Sequence, residues 1–265
     1  MLQQTQVQRV LTLYPRFLRR FPTIRSLSAA RQRSVVLAWR GMGYNNRAVR
    51  LHRLARTLTR HYDGRVPASR QKLLSLPGIG RYTASAVLAF AFRKPVPVLD
   101  VNVRRVLSRI FWRMPSTAHV KSEKDIWNLA SAVLPSRRAY DWNQALMDLG
   151  AMVCTARTPR CRECPLAHIC CSHTTMRRSV ARPQNTEPTF AGIPRRIYRG
   201  RVIEELRSLR EGRPLSMQAL QHTVSEAGTP MDSRWFSRLL AGLEKDGLVR
   251  LRRNPRTRLT TVHLA

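Results

Sequence analysis

Four cysteines within seventeen residues constrain this chain more than any other feature: Cys154, Cys161, Cys164 and Cys170 follow the spacing C-x6-C-x2-C-x5-C. The N-terminus lacks the basic, apolar and small-residue succession of an export signal, so a reducing, intracellular setting is expected. Thiols clustered there bind metal instead of pairing as disulfides. Four thiolates hold either zinc or an iron–sulfur cluster. Two C-x2-C pairs would point to zinc, whereas one pair with long outer gaps favours a cubane [4Fe–4S] cluster. Cys171, the fifth cysteine, reads as a bystander, and as the substitute ligand if the register shifts by one.

A second constraint lies upstream, in Leu76-Pro77-Gly78-Ile79-Gly80. A short helix runs into it, and an apolar helix starts at about Arg81 and continues through Ala91. Gly78 and Gly80 carry no Cβ, which allows a tight turn and close approach of another molecule. The turn ends where a helix begins, and free N–H groups there favour an anion such as a phosphate. A Pro-rich connector, Lys94-Pro95-Val96-Pro97, then leads into Leu99-Asp100-Val101-Asn102-Val103, where one carboxylate stands in an apolar run. Asp100 there is either a helix N-cap or a catalytic group.

Charge narrows the partner. The 265 residues contain 48 Lys plus Arg against 15 Asp plus Glu, a formal net charge of +33. An excess of that size, mostly arginine and spread along the whole chain, calls for a polyanion, with nucleic acid ahead of an anionic membrane surface. No stretch is apolar for the roughly 18 residues a membrane span needs. A soluble, cytoplasmic, nucleoid-associated monomer is therefore expected.

Residues 1 to 55 read as helical. Val7, Val10, Leu11, Tyr14 and Leu18 recur at helical spacing, with Pro15 a kink, and a second helix is predicted from Ser28 to Trp39. Arg40-Gly41-Met42-Gly43-Tyr44-Asn45-Asn46-Arg47 is a glycine-containing turn. Its Tyr44 either packs down as in any helix-to-helix loop or is presented for stacking on or wedging between bases. Arg47 to His61 reads as a basic amphipathic helix with a solvated charged face, and Ile126 to Leu134 and Trp142 to Met152 as two more helices.

Taken together, Leu76-Pro77-Gly78-Ile79-Gly80, Asp100, the run Met147-Asp148-Leu149-Gly150-Ala151-Met152-Val153-Cys154 and the cysteine spacing resemble the endonuclease III superfamily of base-excision DNA glycosylases. Within it, Met1-Leu2-Gln3-Gln4-Thr5-Gln6-Val7, Gly41-Met42-Gly43-Tyr44 and Gly80-Arg81-Tyr82-Thr83 look most like the A/G-mismatch adenine glycosylases of the MutY type. The resemblance covers about residues 1 to 172. It implies an all-α, two-lobed helix-hairpin-helix fold, a helical barrel at about 1–97 and an iron–sulfur lobe at about 98–172, with double-stranded DNA in the cleft. It further implies removal of adenine mispaired with 8-oxoguanine or guanine from a flipped nucleotide. Asp100 matches the carboxylate that stabilises the cationic sugar, and Asn102 the amide beside it. Tyr82 stands where bifunctional relatives carry a lyase lysine, so a monofunctional enzyme is implied. Gln4 and Thr5 match contacts to the opposite base, Tyr44 the wedge, and Gly78, Gly80 and Arg81 the hairpin that grips DNA backbone. A thymine or uracil mismatch glycosylase is the alternative, as is a silent lesion-binding protein.

The family's proton-donating Glu lies two residues before the Met-Leu-Gln-Gln-Thr run, and this chain begins on that run. A misassigned start or a trimmed chain is favoured over true loss of the acid, because the other site residues are intact. For the chain as given, the expectation is excision weakened by the roughly 10²–10⁴-fold that general acid catalysis is worth. Asp63, Glu123 and Asp125 lie in polar segments and are no obvious substitutes. Beyond the cysteines, 173–197 reads as a linker. Residues 198–265 suggest a small winged-helix-like α+β domain in place of the family's Nudix-like half, with Arg250, Arg252, Arg253, Arg256 and Arg258 on the wing, or else a packing module with a basic rim.

Overall fold

The computed structural model describes residues 1–113, 122–174, 187–209, 213–225, 231–255, 257 and 259–265. Residues 175–186 of the expected linker, and Arg256 and Arg258, lie outside them. The described residues group into two compact units, one made of 1–66 with the residues from 187 onward, the other of 67 to 174. No helix is long and apolar enough to cross a membrane.

The first unit begins with α1 (Val7–Arg20), α2 (Ile24–Ala29), α3 (Gln32–Ala38) and α4 (Asn46–His61). The single helix predicted from Ser28 to Trp39 is interrupted. Thr23 and Ser26 form a capping box that starts α2 early, and Ala30 and Arg31 are extended between α2 and α3. Pro15 sits inside α1 without ending it, and Val10 and Phe17 are the buried side of that helix. Val7, Leu11, Tyr14 and Leu18 are exposed. The basic face predicted for α4 also departs from expectation, since Arg47 and His52 are buried.

After a short β1–β2 ladder (Thr189–Phe190, Ile193–Pro194) come α10 (Arg195–Ser208), β3 (Leu215–Ser216), α11 (Met217–Val224), α12 (Ser233–Lys245), β4 (Val249–Arg253) and β5 (Thr260–Leu264), with α5 to α9 in the second unit. The sheet order β3-β5-β4, all antiparallel, is that of a winged helix. Phe236, Leu239, Leu240 and Leu243 recur at helical spacing and are all buried on α12. This module does not stand apart as a domain of its own. Its core is continuous with Val35, Val36, Trp39, Ala48 and Val49 of the first four helices, because both segments present apolar faces that neither covers alone.

The second unit carries α5 (Arg70–Leu74), α6 (Arg81–Ala86) extended by a π-helical turn to Ala91, α7 (Val101–Trp112), α8 (Glu123–Ala132) and α9 (Ala139–Asp148), itself extended by a π-helical turn, Leu149–Val153. The hairpin segment thus packs with the cysteine segment, where the sequence suggested a lobe boundary near 97. Leu99, Val103, Val106, Leu107 and Ile110 of α7 form the core with Ile126, Trp127, Ala130 and Leu146. Helix α7 is the spine of the unit, and Asp100, Asn102, Arg105 and Arg109 all stand on it.

Candidate functional site

Asp100 is the N-cap of α7. Its Oδ1 accepts from the backbone N–H groups of Asn102 at 2.8 Å and Val103 at 2.7 Å, and its Oδ2 from the Asn102 side-chain amide at 3.1 Å. The two readings left open by the sequence therefore coincide. Capping is what holds the carboxylate in one orientation, half-buried, at the positive end of a helix. The approach to it is pinned as well. Asn143, buried on α9, accepts from Val98 N–H at 2.9 Å and donates to Val96 O at 3.0 Å, and Lys94 donates to Ala68 O at 2.6 Å.

Tyr82, on the first turn of α6, has its phenol pushed above the ordinary value by burial and then by the negative charge of Asp100. It remains a neutral phenol across the physiological range, and no amine occupies this position. Gly78 has φ +80°, as the tight turn requires. A Cβ at Gly80 would meet open space, so that backbone is accessible to a ligand. Arg81 does not extend freely: its guanidinium lies 4.0 Å from the Trp127 ring centroid, with Arg70 at 6.0 Å from the same ring.

One turn further along α7, Arg105 reaches in three directions. It donates to Asn102 Oδ1 at 3.0 Å, to Gly150 O at 2.6 Å and to Cys154 O at 2.9 Å. Burial, then the neighbouring Arg109, pulls its pKa down, with Cys154 and Asp100 opposing. Arg109 follows on the next turn and donates to Cys154 Sγ at 3.3 Å and Thr155 O at 2.8 Å. A continuous series of contacts thus runs from Asp100 through Asn102 and Arg105 to the first cysteine. Gly150 makes the approach possible, because a Cβ there would come within 2.8 Å of Asn102 Cβ.

Cys154, Cys161, Cys164 and Cys170 line one cavity whose remaining walls are mainly apolar, among them Val106, Ile110, Leu149 and Leu166. All four are free thiols. Burial pushes the Cys170 thiol up, the Ser172 backbone opposes, and Cys154, Cys164 and Cys161 each push it further, so the four sulfurs share one locality. Among the described residues no three His, Cys, Asp or Glu draw together tightly enough to hold a single ion. A ring of thiols around an apolar cavity with an arginine aimed at one sulfur suits an anionic multi-iron cluster. Cys171 is turned away: it lines a separate depression with Phe111, Trp112 and Arg113. Its N–H caps Ile110 O at 3.0 Å, and Ser172 N–H caps Arg109 O at 3.1 Å, tying the last cysteine to the end of α7.

Gln4, Thr5 and Tyr44 belong to the first unit. Arg47, only 8 % exposed, donates to Met1 O at 2.9 Å, Gln3 O, Thr5 Oγ1 at 2.7 Å, Met42 O at 2.8 Å and Gly43 O at 3.1 Å. Thr5 in turn donates to Met42 O at 3.1 Å. Thr5 is therefore occupied in joining the N-terminal segment to the Tyr44 loop, whereas Gln4 and Tyr44 are presented outward. Both have left-handed backbones, φ 56° and 42°. Arg47, Arg105 and Arg109 were not singled out in the sequence, where they are three cations among many. Asp63 pairs with Arg25, Glu123 with Arg104, and Asp125 closes a capping box on α8.

The family described as HhH-GPD superfamily base excision DNA repair protein matches residues 1–132, and the iron–sulfur binding domain of endonuclease III matches residues 154–170. An adenine DNA glycosylase of Mycobacterium tuberculosis is 41% identical over 209 residues, 78% of this chain and 68% of that protein. One of Mycolicibacterium smegmatis is 38% identical over 259 residues, 94% of this chain and 81% of that protein. Among solved structures, a thermostable thymine-DNA glycosylase superposes with TM-score 0.61 at 30% identity, covering 66% of this chain and 80% of the other. A non-covalent endonuclease III–DNA complex gives 0.60 at 26%, covering 66% and 81%.

Proposed function

This chain belongs to the adenine DNA glycosylase branch of the HhH-GPD superfamily, and from that premise we propose that it is a monofunctional N-glycosylase releasing adenine mispaired with 8-oxoguanine or guanine. DNA is its partner, read as duplex carrying the mismatch and bound by a monomer in the cytoplasm at the nucleoid. The observation that carries the reading is the capped, oriented carboxylate of Asp100.

Hydrolysis breaks the bond between sugar C1′ and adenine, the base leaves with a proton, and water adds to C1′. Positive charge develops on the sugar as the bond lengthens. A carboxylate whose orientation is set beforehand by two backbone N–H groups and one amide stabilises that charge without reorganising. Asn102 directs Oδ2, and Arg105 holds the Asn102 amide in the orientation that donates. The neutral phenol of Tyr82 beside Asp100 offers no amine for a Schiff base, so the abasic sugar is left uncut. On the first unit, Tyr44 is read as the residue that fills the stack when the nucleotide leaves it, and Gln4 as a contact to the opposite base.

Cys154, Cys161, Cys164 and Cys170 are assigned as the ligands of a [4Fe–4S] cluster, which when bound would hold residues 154–170 together in the segment that Cys171 and Ser172 tie to the end of α7. A single-turnover assay tests the substrate assignment on duplexes carrying A opposite 8-oxoguanine, A opposite G, and T or U opposite G. Adenine release from the first two supports it. Release of pyrimidine alone, or of no base, overturns it.

A further inference from the structure

The loop that carries Tyr44 holds a conformation its own sequence does not favour. Gly41 and Gly43 have φ +85° and +68°, and Tyr44, a residue with a Cβ, has φ +42°. A left-handed backbone costs a non-glycine residue roughly 1–2 kcal/mol. Tyr44 is 46 % exposed, so its own burial offsets little of that cost. Such a conformation persists only where the surroundings determine it.

Arg47 grips the loop from the side of α4. The opposite grip comes from the winged-helix module. Arg207, near the end of α10 and with its side chain 5 % exposed, donates one Nη2 to Asn45 Oδ1 at 2.8 Å and to Val36 O at 2.7 Å. Its Nη1 pairs with Glu204 at 3.3 Å, and Glu204 also pairs with Arg40. Helix α10 thus holds Arg40, just before the loop, and Asn45, immediately after Tyr44. The module is itself fixed to α3, through Gln32 donating to Gly247 O at 2.7 Å and Arg33 donating to Leu209 O at 3.1 Å, and through the shared core.

We propose that the C-terminal winged-helix module is a brace for the Tyr44 loop, with Arg207 and Glu204 its positioning residues. The module sets the pose of the residue that probes the base stack, and its role in mismatch recognition runs through this contact. The proposal rests on the reading of Tyr44 as a stack-filling residue. Its competitor is a module that reads DNA directly through the exposed wing residues Arg250 and Arg252.

Five variants of the full chain separate these ideas: Arg207→Met, Asn45→Ala, these two combined, Tyr44→Ala and the double variant Arg250→Ser/Arg252→Ser. Two quantities are read below the melting temperature of each variant. One is amide exchange of residues 42–47, and the other is the ratio of Kd for a fully matched duplex to Kd for the same duplex with A opposite 8-oxoguanine. The brace predicts that Arg207→Met and Asn45→Ala each speed exchange by about tenfold or more. They should lower the ratio by roughly three- to tenfold, leave matched-duplex Kd within about twofold, and combine without adding, as partners in one contact do. Asn45→Ala, which leaves the buried arginine in place, decides the matter if Arg207→Met does not fold. Unchanged exchange in Asn45→Ala overturns the brace, and so does an unchanged mismatch ratio there when Tyr44→Ala abolishes it. Loss of the ratio in the wing variant alone establishes the direct reader instead. A ratio unmoved by Tyr44→Ala removes the role of Tyr44, and exchange still judges the brace.

Discussion

Arg105→Met is expected to damage this protein far more than Arg104→Met, its neighbour in sequence. Arg105 is 9 % exposed and supplies donors to Asn102 Oδ1, Gly150 O and Cys154 O at 3.0, 2.6 and 2.9 Å. Methionine replaces most of the apolar stem but none of the donors. An acceptor stranded away from water costs about 1–3 kcal/mol, and the contact to Gly150 O is fully buried while the other two recover some hydration. The sum is about 3–5 kcal/mol. Arg104 instead pairs with Glu123, whose side chain is 67 % exposed, and an ion pair of that kind is worth at most about 1 kcal/mol. Urea unfolding followed by far-ultraviolet circular dichroism, with iron content per chain measured on the same samples, compares the two. Arg105→Met should lose stability by that amount, lose iron and release adenine slowly, because Asn102 no longer holds Asp100. Equal stability and iron content in the two variants would refute the proposed link between Asp100 and the cysteine segment.

Gly150→Ala places a methyl group 2.8 Å from Asn102 Cβ and 3.3 Å from its backbone, so it should cost roughly 1–3 kcal/mol and slow base release; a variant with parental melting temperature and rate contradicts this packing. His52 is buried, which with Arg56 lowers its pKa below 6.5 despite hydrogen bonds to the backbone of Ser28 and Ala30. The unfolded chain then takes up the proton first, so stability should fall as pH drops through about 6.5, by at most ~1.4 kcal/mol per unit, and His52→Gln should flatten that slope between about pH 6.5 and 5. An unchanged slope in the variant assigns the dependence to other groups. Cys171→Ser should keep its iron and Cys170→Ser should lose it, whereas the reverse would shift the ligand set by one residue.

Local patterns were legible in the sequence. The hairpin, the cysteine spacing and the apolar repeat of α12 depend on residues a few positions apart, and each is found where its spacing puts it. Asp100 stood out for the same reason, as one carboxylate in an apolar run. What could not be read is non-local. Most partners of Arg47 and Arg105 are backbone carbonyls, Arg207 takes another at Val36, and every residue offers a carbonyl, so no side-chain pattern marks them. A composition with 48 cations conceals the few that are structural. The need for glycine at position 150 arises only because α7 crosses it at Asn102. The winged helix was legible as an element order, but its fusion with the first four helices depends on two apolar surfaces each of which reads as a complete core of its own.

The central claim, that Asp100 stabilises the sugar cation while capping α7, is tested most directly by Asp100→Asn in single turnover on A opposite 8-oxoguanine. Asparagine caps a helix about as well as aspartate, so stability should change by no more than about 1–2 kcal/mol, chiefly from an amide facing the Asn102 amide. The fixed negative charge is lost, and the rate of adenine release should fall at least about 10²–10³-fold with mismatch binding retained. A folded Asp100→Asn variant that releases adenine at the parental rate would contradict the account.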